Sequence, residues 1–199
     1  MRLVRATIST PVGPMLALAS DAALCALEFT LEQRQSRLDA RLARFYRDEL
    51  VEDGSNAVIA ATREWLDAYF AGTSADASTL ALDARGRTFE RRVWRTLLTI
   101  PPGETRSYGQ VAAQTASTVL ASRAVGLANG ANPIAIIVPC HRVIGADGSL
   151  TGYGGGLDRK TWLLEHEQRH WPTDTSLSRV MRQASPRPNP DSKQPRFEF

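Results

Sequence analysis

The apolar run at residues 134–138 ends abruptly at Pro139, and this boundary constrains the fold more than any other feature of the chain. A continuous apolar run indicates burial on all sides, and a proline cannot continue a regular element. Cys140 and His141 come next, so we expect a thiol at the rim of a rigid support. A cysteine thiolate is a nucleophile, and a nearby imidazole can take its proton. The sequence therefore predicts a reactive site at this boundary.

The adjacency of Cys140 and His141 does not by itself establish catalysis. Short motifs match by chance, and a buried cysteine beside a surface histidine gives the same pair of letters. Neighbouring residues of an extended stretch also point to opposite sides. If the two side chains do not touch, the proton would have to move through a water molecule.

A glycine-rich segment follows this pair and predicts a loop whose backbone approaches a ligand closely. Its glycines are Gly145, Gly148, Gly152, Gly154, Gly155 and Gly156. A flexible linker is the alternative interpretation of this composition. Tyr153 stands among the glycines and argues against a linker, because an aromatic ring there could form one wall of a pocket for a planar base.

Residues 108–129 carry the pattern of two short helices. Ser107 and Gln110 match a capping box, which predicts a helix over residues 108–114, and a polar turn separates it from a second helix at 120–129. Two such helices are typical of a helix-turn-helix, although an ordinary helical hairpin gives the same pattern. The second helix has small residues with Arg123 as its only charge, so it could approach a DNA backbone closely while reading few bases.

The motif Pro139-Cys140-His141-Arg142-Val143, followed by a glycine-rich loop, resembles the hallmark of the O6-alkylguanine-DNA alkyltransferase family of single-use DNA repair proteins. The resemblance extends, in the family's order and nearly its spacing, to Thr105-Arg106-Ser107-Tyr108-Gly109, Ser122-Arg123-Ala124-Val125-Gly126, Asn132-Pro133, Thr151-Gly152-Tyr153-Gly154-Gly155-Gly156-Leu157 and Leu163-Leu164-Glu165-His166-Glu167. One difference lies between Tyr108 and Arg123, where this chain has one residue more than the family spacing. We assign that residue to the turn at 115–119.

The resemblance implies a reaction and its residues. The protein would move an alkyl group from O6-alkylguanine, or from O4-alkylthymine, in double-stranded DNA to Cys140 in one irreversible step without a cofactor. The residues that it implies for catalysis are Cys140, His141, Glu167, Asn132 and Tyr108. Glu167 would orient His141, Asn132 would tie the second helix to the cysteine loop, and Tyr108 would neutralise charge on the leaving guanine.

The resemblance also implies how DNA is bound. The second helix would enter the minor groove, and Arg123 would fill the gap left by an extruded nucleotide, since a stacked base cannot be reached by the sulfur. The substrate- and DNA-binding residues that it implies are Arg123, Tyr153, Gly154, Ser122 and Ala124. Ala135 would line the approach to the pocket, and its small size hints at tolerance of bulky alkyl groups.

Two other functions compete with alkyl transfer. A non-catalytic protein that only binds alkylation damage would share the helix and the pocket, but such relatives lack the cysteine that this chain has at Cys140. A cysteine hydrolase would use a cysteine, a histidine and an acid, but it would release an acyl group to water and would not need a helix-turn-helix.

The sequence predicts an α+β fold in two subdomains. Residues 1–85 would form a small antiparallel sheet with helices, with strands at 3–8 and within 15–29, and would act as a support. Residues 86–170 would form a mostly helical domain with the helix-turn-helix and the active-site loop. Residues 171–199, with Pro172, Pro186, Pro188, Pro190 and Pro195, would be a disordered tail.

Composition gives information about the compartment, the partners and the metal content of the protein. The formal net charge of +3 is compatible with a polyanionic partner but is weak evidence. The two cysteines, Cys25 and Cys140, form no disulfide pattern, and no run has the length or composition of a secretion signal or a membrane span. The first half has no histidine, so we expect no zinc site there. We expect a cytoplasmic monomer whose partner is double-stranded DNA with an alkylated guanine, and no membrane association.

Overall fold

The computed structural model describes residues 2–116 and 119–173. Its first part is a four-stranded sheet in the order β3-β2-β1-β4. The strands are β1 (Arg2–Ile8), β2 (Met15–Ala19), β3 (Leu24–Phe29) and β4 (Leu50–Asp53). The first three form the predicted antiparallel meander, but β4 pairs with β1 in parallel, so the sheet is mixed. The sequence did not reveal β4 because it is short and mostly exposed, with no apolar alternation.

Two helices cover the two faces of this sheet. They are α1 (Glu32–Phe45) and α2 (Ala57–Phe70). Leu18 of β2 packs in the cluster with Leu38 of α1, whereas its neighbour Ala17 packs in the cluster with Leu66 of α2. Successive strand residues point to opposite faces, which explains the two clusters. Cys25 lies in the α1 cluster as a buried strand residue.

The second part is mainly helical. Its helices are α3 (Thr88–Leu97), α4 (Tyr108–Ala116), α5 (Ser122–Gly130) and α6 (Leu157–His170), and its short strands β5 (Arg106–Ser107) and β6 (Val143–Ile144) pair in parallel. The predicted capping box is present at the start of α4: the Ser107 amide donates to Gln110 Oε1 at 2.7 Å, and the Gln110 amide donates to Ser107 Oγ at 3.2 Å. The mixed sheet of the first part and the helices of the second part together confirm the predicted α+β fold class.

The two parts share one apolar core. Its members include Leu27, Val93, Val125 and Leu163, which come from β3, α3, α5 and α6. The edge strand β3 also binds the segment before the cysteine through its backbone: the Leu27 amide donates to the Pro133 carbonyl at 2.8 Å, and the Ala135 amide donates to the Leu27 carbonyl at 2.8 Å. The sheet thus holds the segment that leads to Cys140.

Two sequence predictions fall wholly or partly outside the described residues. The tail is described only to Thr173, and the turn with the extra residue includes the undescribed positions 117 and 118. Within 2–116 and 119–173, every helix is too short or too polar to cross a lipid bilayer. The same stretches contain no cluster of three histidine, cysteine or acidic side chains placed to hold a metal ion.

Candidate active site

Cys140 starts a single 3₁₀ turn, Cys140–Arg142, immediately after Pro139, and is 6% exposed. The buried residues before it do not form an extended stretch, because the chain reverses at Ile136, whose φ is 70°. A β-branched residue with positive φ is strained, at a cost on the order of 1–3 kcal/mol, and persists only where its surroundings hold it. The thiol is therefore carried by a turn that is packed on all sides.

Asn132 fixes the sulfur within this turn. Its Nδ2 lies 3.1 Å from Cys140 Sγ and donates to the Val138 carbonyl at 2.8 Å, while its Oδ1 accepts from the Ile134 amide at 3.1 Å. Asn132 is itself 1% exposed. One buried amide thus joins the two ends of the turn and contacts the nucleophile.

The environment of Cys140 keeps its proton in place before reaction. Burial raises the pKa of the thiol above its ordinary value, and the hydrogen bond from Asn132 opposes this shift only in part. The sulfur is therefore a thiol at neutral pH. A base is therefore needed to form the thiolate at this position.

His141 and Glu167 form the pair that the sequence predicts, and both are fully buried. His141 Nε2 lies 2.8 Å from Glu167 Oε1. His141 makes no hydrogen bond to Cys140, and within the described residues its Nδ1 is buried without a partner. Cys140 and His141 are therefore not joined by a hydrogen bond, and a direct proton transfer between them is not set up.

Arg142 and Tyr69 complete the surroundings of Glu167 and were not predicted as site residues. Arg142 Nη2 donates to Glu167 Oε1 at 2.8 Å and its Nε donates to Oε2 at 2.9 Å. The Tyr69 hydroxyl donates to Oε1 at 2.8 Å, and the Gly103 amide donates to Oε2 at 3.2 Å. The position of Arg142 within the cysteine motif could have indicated its role, because a buried arginine needs a carboxylate partner. Tyr69 lies among core aromatics and had none.

The charges of this cluster follow from the two-point pairing of Arg142 with Glu167. Burial works to raise the pKa of Glu167, but the hydrogen bonds from His141 and Arg142 and the charge of Arg142 hold that pKa below its usual value. Burial lowers the pKa of His141, with Glu167 opposing. Because Arg142 already balances the carboxylate, we assign His141 as neutral at pH 7. A neutral imidazole held by a carboxylate can accept a proton.

The cavity beside Cys140 is small, and the glycine loop forms part of its wall. The cavity beside the thiol has a volume of about 20 Å³ and is lined by Phe29, Arg34, Asn129, Gly130, Ala135, Cys140, Gly152, Tyr153, Gly154 and Gly155. Ligand pockets are typically about 300–1,000 Å³, so this cavity has to enlarge before it can hold a base. A cavity of about 810 Å³ is lined by Pro139 and Arg142 but not by Cys140, so we do not assign the reaction to it.

Tyr153 and Lys160 determine the shape of this loop. The Tyr153 ring packs edge-on against Phe29, with centroids 6.1 Å apart, and against His141 at 6.4 Å. Lys160, which was not predicted, is fully buried, and its Nζ donates to the Val143 carbonyl at 2.6 Å and the Thr151 carbonyl at 2.8 Å. Burial lowers the pKa of Lys160 to about 8.

Tyr108 lies at the start of α4 beside the same loop. Its hydroxyl is 3.4 Å from the Thr151 carbonyl, and burial raises its pKa, so the phenol keeps its proton at neutral pH. Along α5, Ser122 is half-buried while Arg123 and Ala124 are exposed, and Val125 faces the core. The structure thus separates an inner group around Cys140 from an outer group at the start of α5.

Arg34 of α1 connects the first part of the chain to the site and was not predicted. Its Nε donates to Glu28 Oε2 at 2.7 Å, and its Nη1 and Nη2 donate to the Gly130 and Asn132 carbonyls at 3.2 and 3.1 Å. The Arg34 and Glu28 side chains are each 7% exposed. In the sequence Arg34 is one of several arginines of α1, and nothing there distinguishes it.

Both parts of the chain are similar to domains of known proteins. Residues 3–84 match the ribonuclease-like domain of 6-O-methylguanine DNA methyltransferase, and residues 88–169 match the DNA-binding domain of the same family. A methylated-DNA–protein-cysteine methyltransferase of Mycobacterium bovis is 48% identical over 86% of this chain and 96% of its own length. The Salmonella typhimurium protein of the same name is 46% identical over 84% of this chain and 96% of its own length.

Solved structures give the same assignment. The crystal structure of Mycobacterium tuberculosis OGT in complex with DNA superposes with a TM-score of 0.69 at 44% identity, over 87% of this chain and 97% of that one. The O6-methylguanine-DNA methyltransferase of Pyrococcus kodakaraensis superposes with a TM-score of 0.60 at 24% identity, over 83% of this chain and 98% of that one, and supports the fold alone. The chain belongs to the 6-O-methylguanine DNA methyltransferase family.

Proposed function

We propose that this protein repairs alkylated DNA by moving the alkyl group of O6-alkylguanine, or of O4-alkylthymine, from double-stranded DNA to its own Cys140. The observation that carries the proposal is the buried Cys140 thiol, which lines the cavity under the glycine loop and accepts a hydrogen bond from Asn132 at 3.1 Å. The named activity of the relatives is methyl transfer from DNA to a protein cysteine. We assign Cys140 as that cysteine here.

The reaction is a single displacement. The Cys140 sulfur forms a bond to the alkyl carbon while the bond between that carbon and O6 breaks, and the electron pair of the broken bond stays on the guanine. The thiol proton passes to His141, and Tyr108 donates a proton to the departing guanine. The proton on His141 then returns to Tyr108 through water, so that the products are neutral guanine and a neutral thioether and both side chains regain their starting charge. A thioether is not hydrolysed by water under mild conditions, so each molecule acts once.

The His141–Glu167 pair serves as the base for the thiol. Because His141 Nδ1 makes no hydrogen bond to Cys140 and is buried without a partner among the described residues, we place one water molecule between Nδ1 and Sγ. Glu167 stabilises the imidazolium that forms, and Arg142 and Tyr69 hold Glu167 in place. The order of proton transfer is Cys140, water, His141, with Glu167 as the orienting acid.

Tyr108 acts as a hydrogen-bond donor to the leaving base. Its phenol keeps its proton at neutral pH and lies at the edge of the glycine loop. A hydrogen-bond donor at this position neutralises the charge that develops on guanine as the bond to O6 breaks. Tyr153 and Gly154 form the wall over the base, and the loop that carries them has to open for entry.

The exposed face at the start of α5 binds the DNA duplex. Arg123 and Ala124 are exposed and Ser122 is half-buried beside them, so the small residues permit close approach while Arg123 can reach into the stack. Extruding a base costs a few kcal/mol, and an inserted side chain recovers part of it. We further propose a boundary between subdomains near residues 85 and 86, supported by family matches that end at 84 and resume at 88.

A reactive thiol also suggests where and how the protein works. Cys140 has to stay reduced until it meets damage, which favours the cytoplasm over an oxidising compartment. The reaction needs one sulfur and one base, all drawn from one chain, so we propose that the protein acts as a monomer.

Incubation with a duplex that carries one O6-[methyl-³H]methylguanine tests the function. We expect one label per protein molecule, located on Cys140 by peptide mass, and no further turnover when more substrate is added. The Cys140→Ala variant should bind the duplex with unchanged affinity and accept no label. Binding without transfer by the wild-type protein would support a damage-binding protein instead, and release of label over many turnovers would support a hydrolase.

A further inference from the structure

Asn129 is a second asparagine beside Cys140, and neither its sequence context nor the mechanism above gives it a role. It lies near the end of α5 and is 4% exposed. Its Nδ2 donates to the Cys140 carbonyl oxygen at 3.2 Å. Since only the nitrogen of the amide can donate, this bond fixes the orientation of the side chain and directs Oδ1 away from that carbonyl.

The Oδ1 atom of Asn129 is buried and, within the described residues, has no partner at hydrogen-bond distance, although the Asn129 side chain lies close enough to the Tyr108 hydroxyl to oppose the rise in its pKa. Buried polar side-chain atoms in native proteins nearly always have a partner, so an exception needs an explanation. Asn129 lines the small cavity that Cys140 and Tyr153 also line. An unpaired acceptor in the wall of a cavity beside the nucleophile indicates that the ligand supplies the donor.

The alkylated base offers a suitable donor. Alkylation of O6 leaves N1 of guanine without a hydrogen, so the exocyclic 2-amino group is the N–H donor that remains on the pairing edge. Guanine carries this amino group and adenine does not. An acceptor that is buried in the pocket therefore favours guanine derivatives, because a base without the amine leaves the acceptor unpaired.

We propose that Asn129 reads the base, its Oδ1 accepting a hydrogen bond from the 2-amino group of the extruded O6-alkylguanine. This inference rests on the proposed function and adds a specificity-determining residue to it. Asn129 has two tasks in this arrangement: its amide nitrogen holds the Cys140 backbone, and its oxygen selects the substrate.

Two duplexes that differ only at the damaged base test the proposal. One carries O6-methylguanine and the other O6-methylhypoxanthine, which has the same methoxy group but no 2-amino group. Rate constants for transfer are measured in single turnovers with protein in saturating excess, so that they do not depend on the fraction of folded protein. We expect wild-type protein to react at least about tenfold faster with O6-methylguanine.

The Asn129→Ala variant should lose most of this preference. We expect its rate with O6-methylguanine to fall about tenfold or more, with a much smaller change for O6-methylhypoxanthine. The control is Asn56→Ala, which removes a hydrogen-bonding amide at the start of α2, far from the cavity, and should keep the wild-type ratio. Equal slowing of both substrates by Asn129→Ala, or no preference in wild-type protein, would overturn the inference. A wild-type protein that transfers no methyl group from either duplex would overturn the proposed function instead.

Discussion

Glu167 shows at the scale of one residue how a buried charge is made stable. It is fully buried, yet Arg142 and His141 lie at 2.8 Å and the Tyr69 hydroxyl donates to it at the same distance. Such a cluster is costly to form and more costly to break, because removing one charge leaves the other uncompensated. The carboxylate therefore has a structural task besides the task in the reaction that we propose for it.

We predict that Glu167→Gln destabilises the protein by about 3–5 kcal/mol, because Arg142 is left buried without its carboxylate. Urea unfolding at pH 7 measures the change. Glu165→Gln on the same helix is the matched control, since Glu165 is exposed, and should change the stability by less than about 0.5 kcal/mol. Similar stabilities for the two variants would contradict the cluster described here.

The same residue predicts a pH dependence. The pKa of Glu167 in the folded protein lies below its usual value, whereas in the unfolded chain it is near 4.3. The stabilisation is therefore complete above about pH 4.3 and is lost as the pH falls through the folded pKa. We expect the stability difference between wild type and Glu167→Gln to be constant from pH 5 to 7 and to shrink below pH 4. A difference that grows on acidification would contradict the assignment.

At the scale of elements, periodic patterns made most of the secondary structure predictable. The helices α4 and α5 and the first three strands follow from caps and apolar spacing. The turn before Cys140 did not follow, because burial of every residue in 134–138 hides the reversal at Ile136 and gives no period. In the site, the pairing of His141 with Glu167 was expected from the family resemblance, whereas Lys160 and Asn129 were missed because their partners are backbone carbonyls.

The exposed start of α5 gives a prediction about duplex DNA. We expect Arg123→Ala to slow methyl transfer from a duplex by about tenfold or more while leaving transfer from the free base O6-benzylguanine within about twofold, because only a stacked base needs a replacement. Rates on the two substrates measure this. Arg92→Ala, which removes an exposed arginine from α3, is the control and should change neither rate strongly. Equal slowing on both substrates by Arg123→Ala would contradict an intercalating role.

The start of α6 gives a prediction about backbone strain. Gly156 has φ 93° and ψ 149°, a region nearly restricted to glycine, and a β-carbon there would meet no other atom within 4 Å. We expect Gly156→Ala to destabilise the protein by about 1–3 kcal/mol through strain alone. Gly130→Ala at the end of α5 is the matched control, since a β-carbon there also has free space but φ is not positive. Thermal unfolding compares them, and equal effects would contradict this account.

At the scale of the molecule, the two parts of the chain meet through polar groups as well as the shared core. Arg34 links Glu28 of β3 to the carbonyls of Gly130 and Asn132, and Leu27 binds the segment before Cys140. Neither connection could be predicted from the sequence, because every residue has a backbone carbonyl and the residue type does not show which carbonyl accepts the bond. The first part was predicted to be a support, and these contacts specify what it supports.

We predict that Arg34→Met destabilises the protein by about 1–3 kcal/mol and slows methyl transfer. Burial already raises the pKa of Glu28 to about 7, so Glu28 takes up a proton and stays buried without its partner, and the Asn132 carbonyl loses a donor. Arg44→Met, on the exposed side of the same helix, should change stability by less than about 0.5 kcal/mol. Urea unfolding and single-turnover transfer measure the two effects. Loss of stability with an unchanged rate on the folded fraction would show that Arg34 holds the parts together without positioning the site.

The strand order β3-β2-β1-β4 leaves β3 and β4 at the edges of the sheet, and this affects self-association. A sheet edge with free backbone groups invites strands from other molecules. Here β3 is covered by the cysteine segment, and β4 carries exposed Glu52 and Asp53, which pair with Arg2 and Arg5 of β1 at 2.8 Å. Edge-to-edge aggregation is thus opposed by cover on one side and by charge on the other. A protein that can react only once gains from this, because its unspent copies have to remain dispersed until damage reaches them.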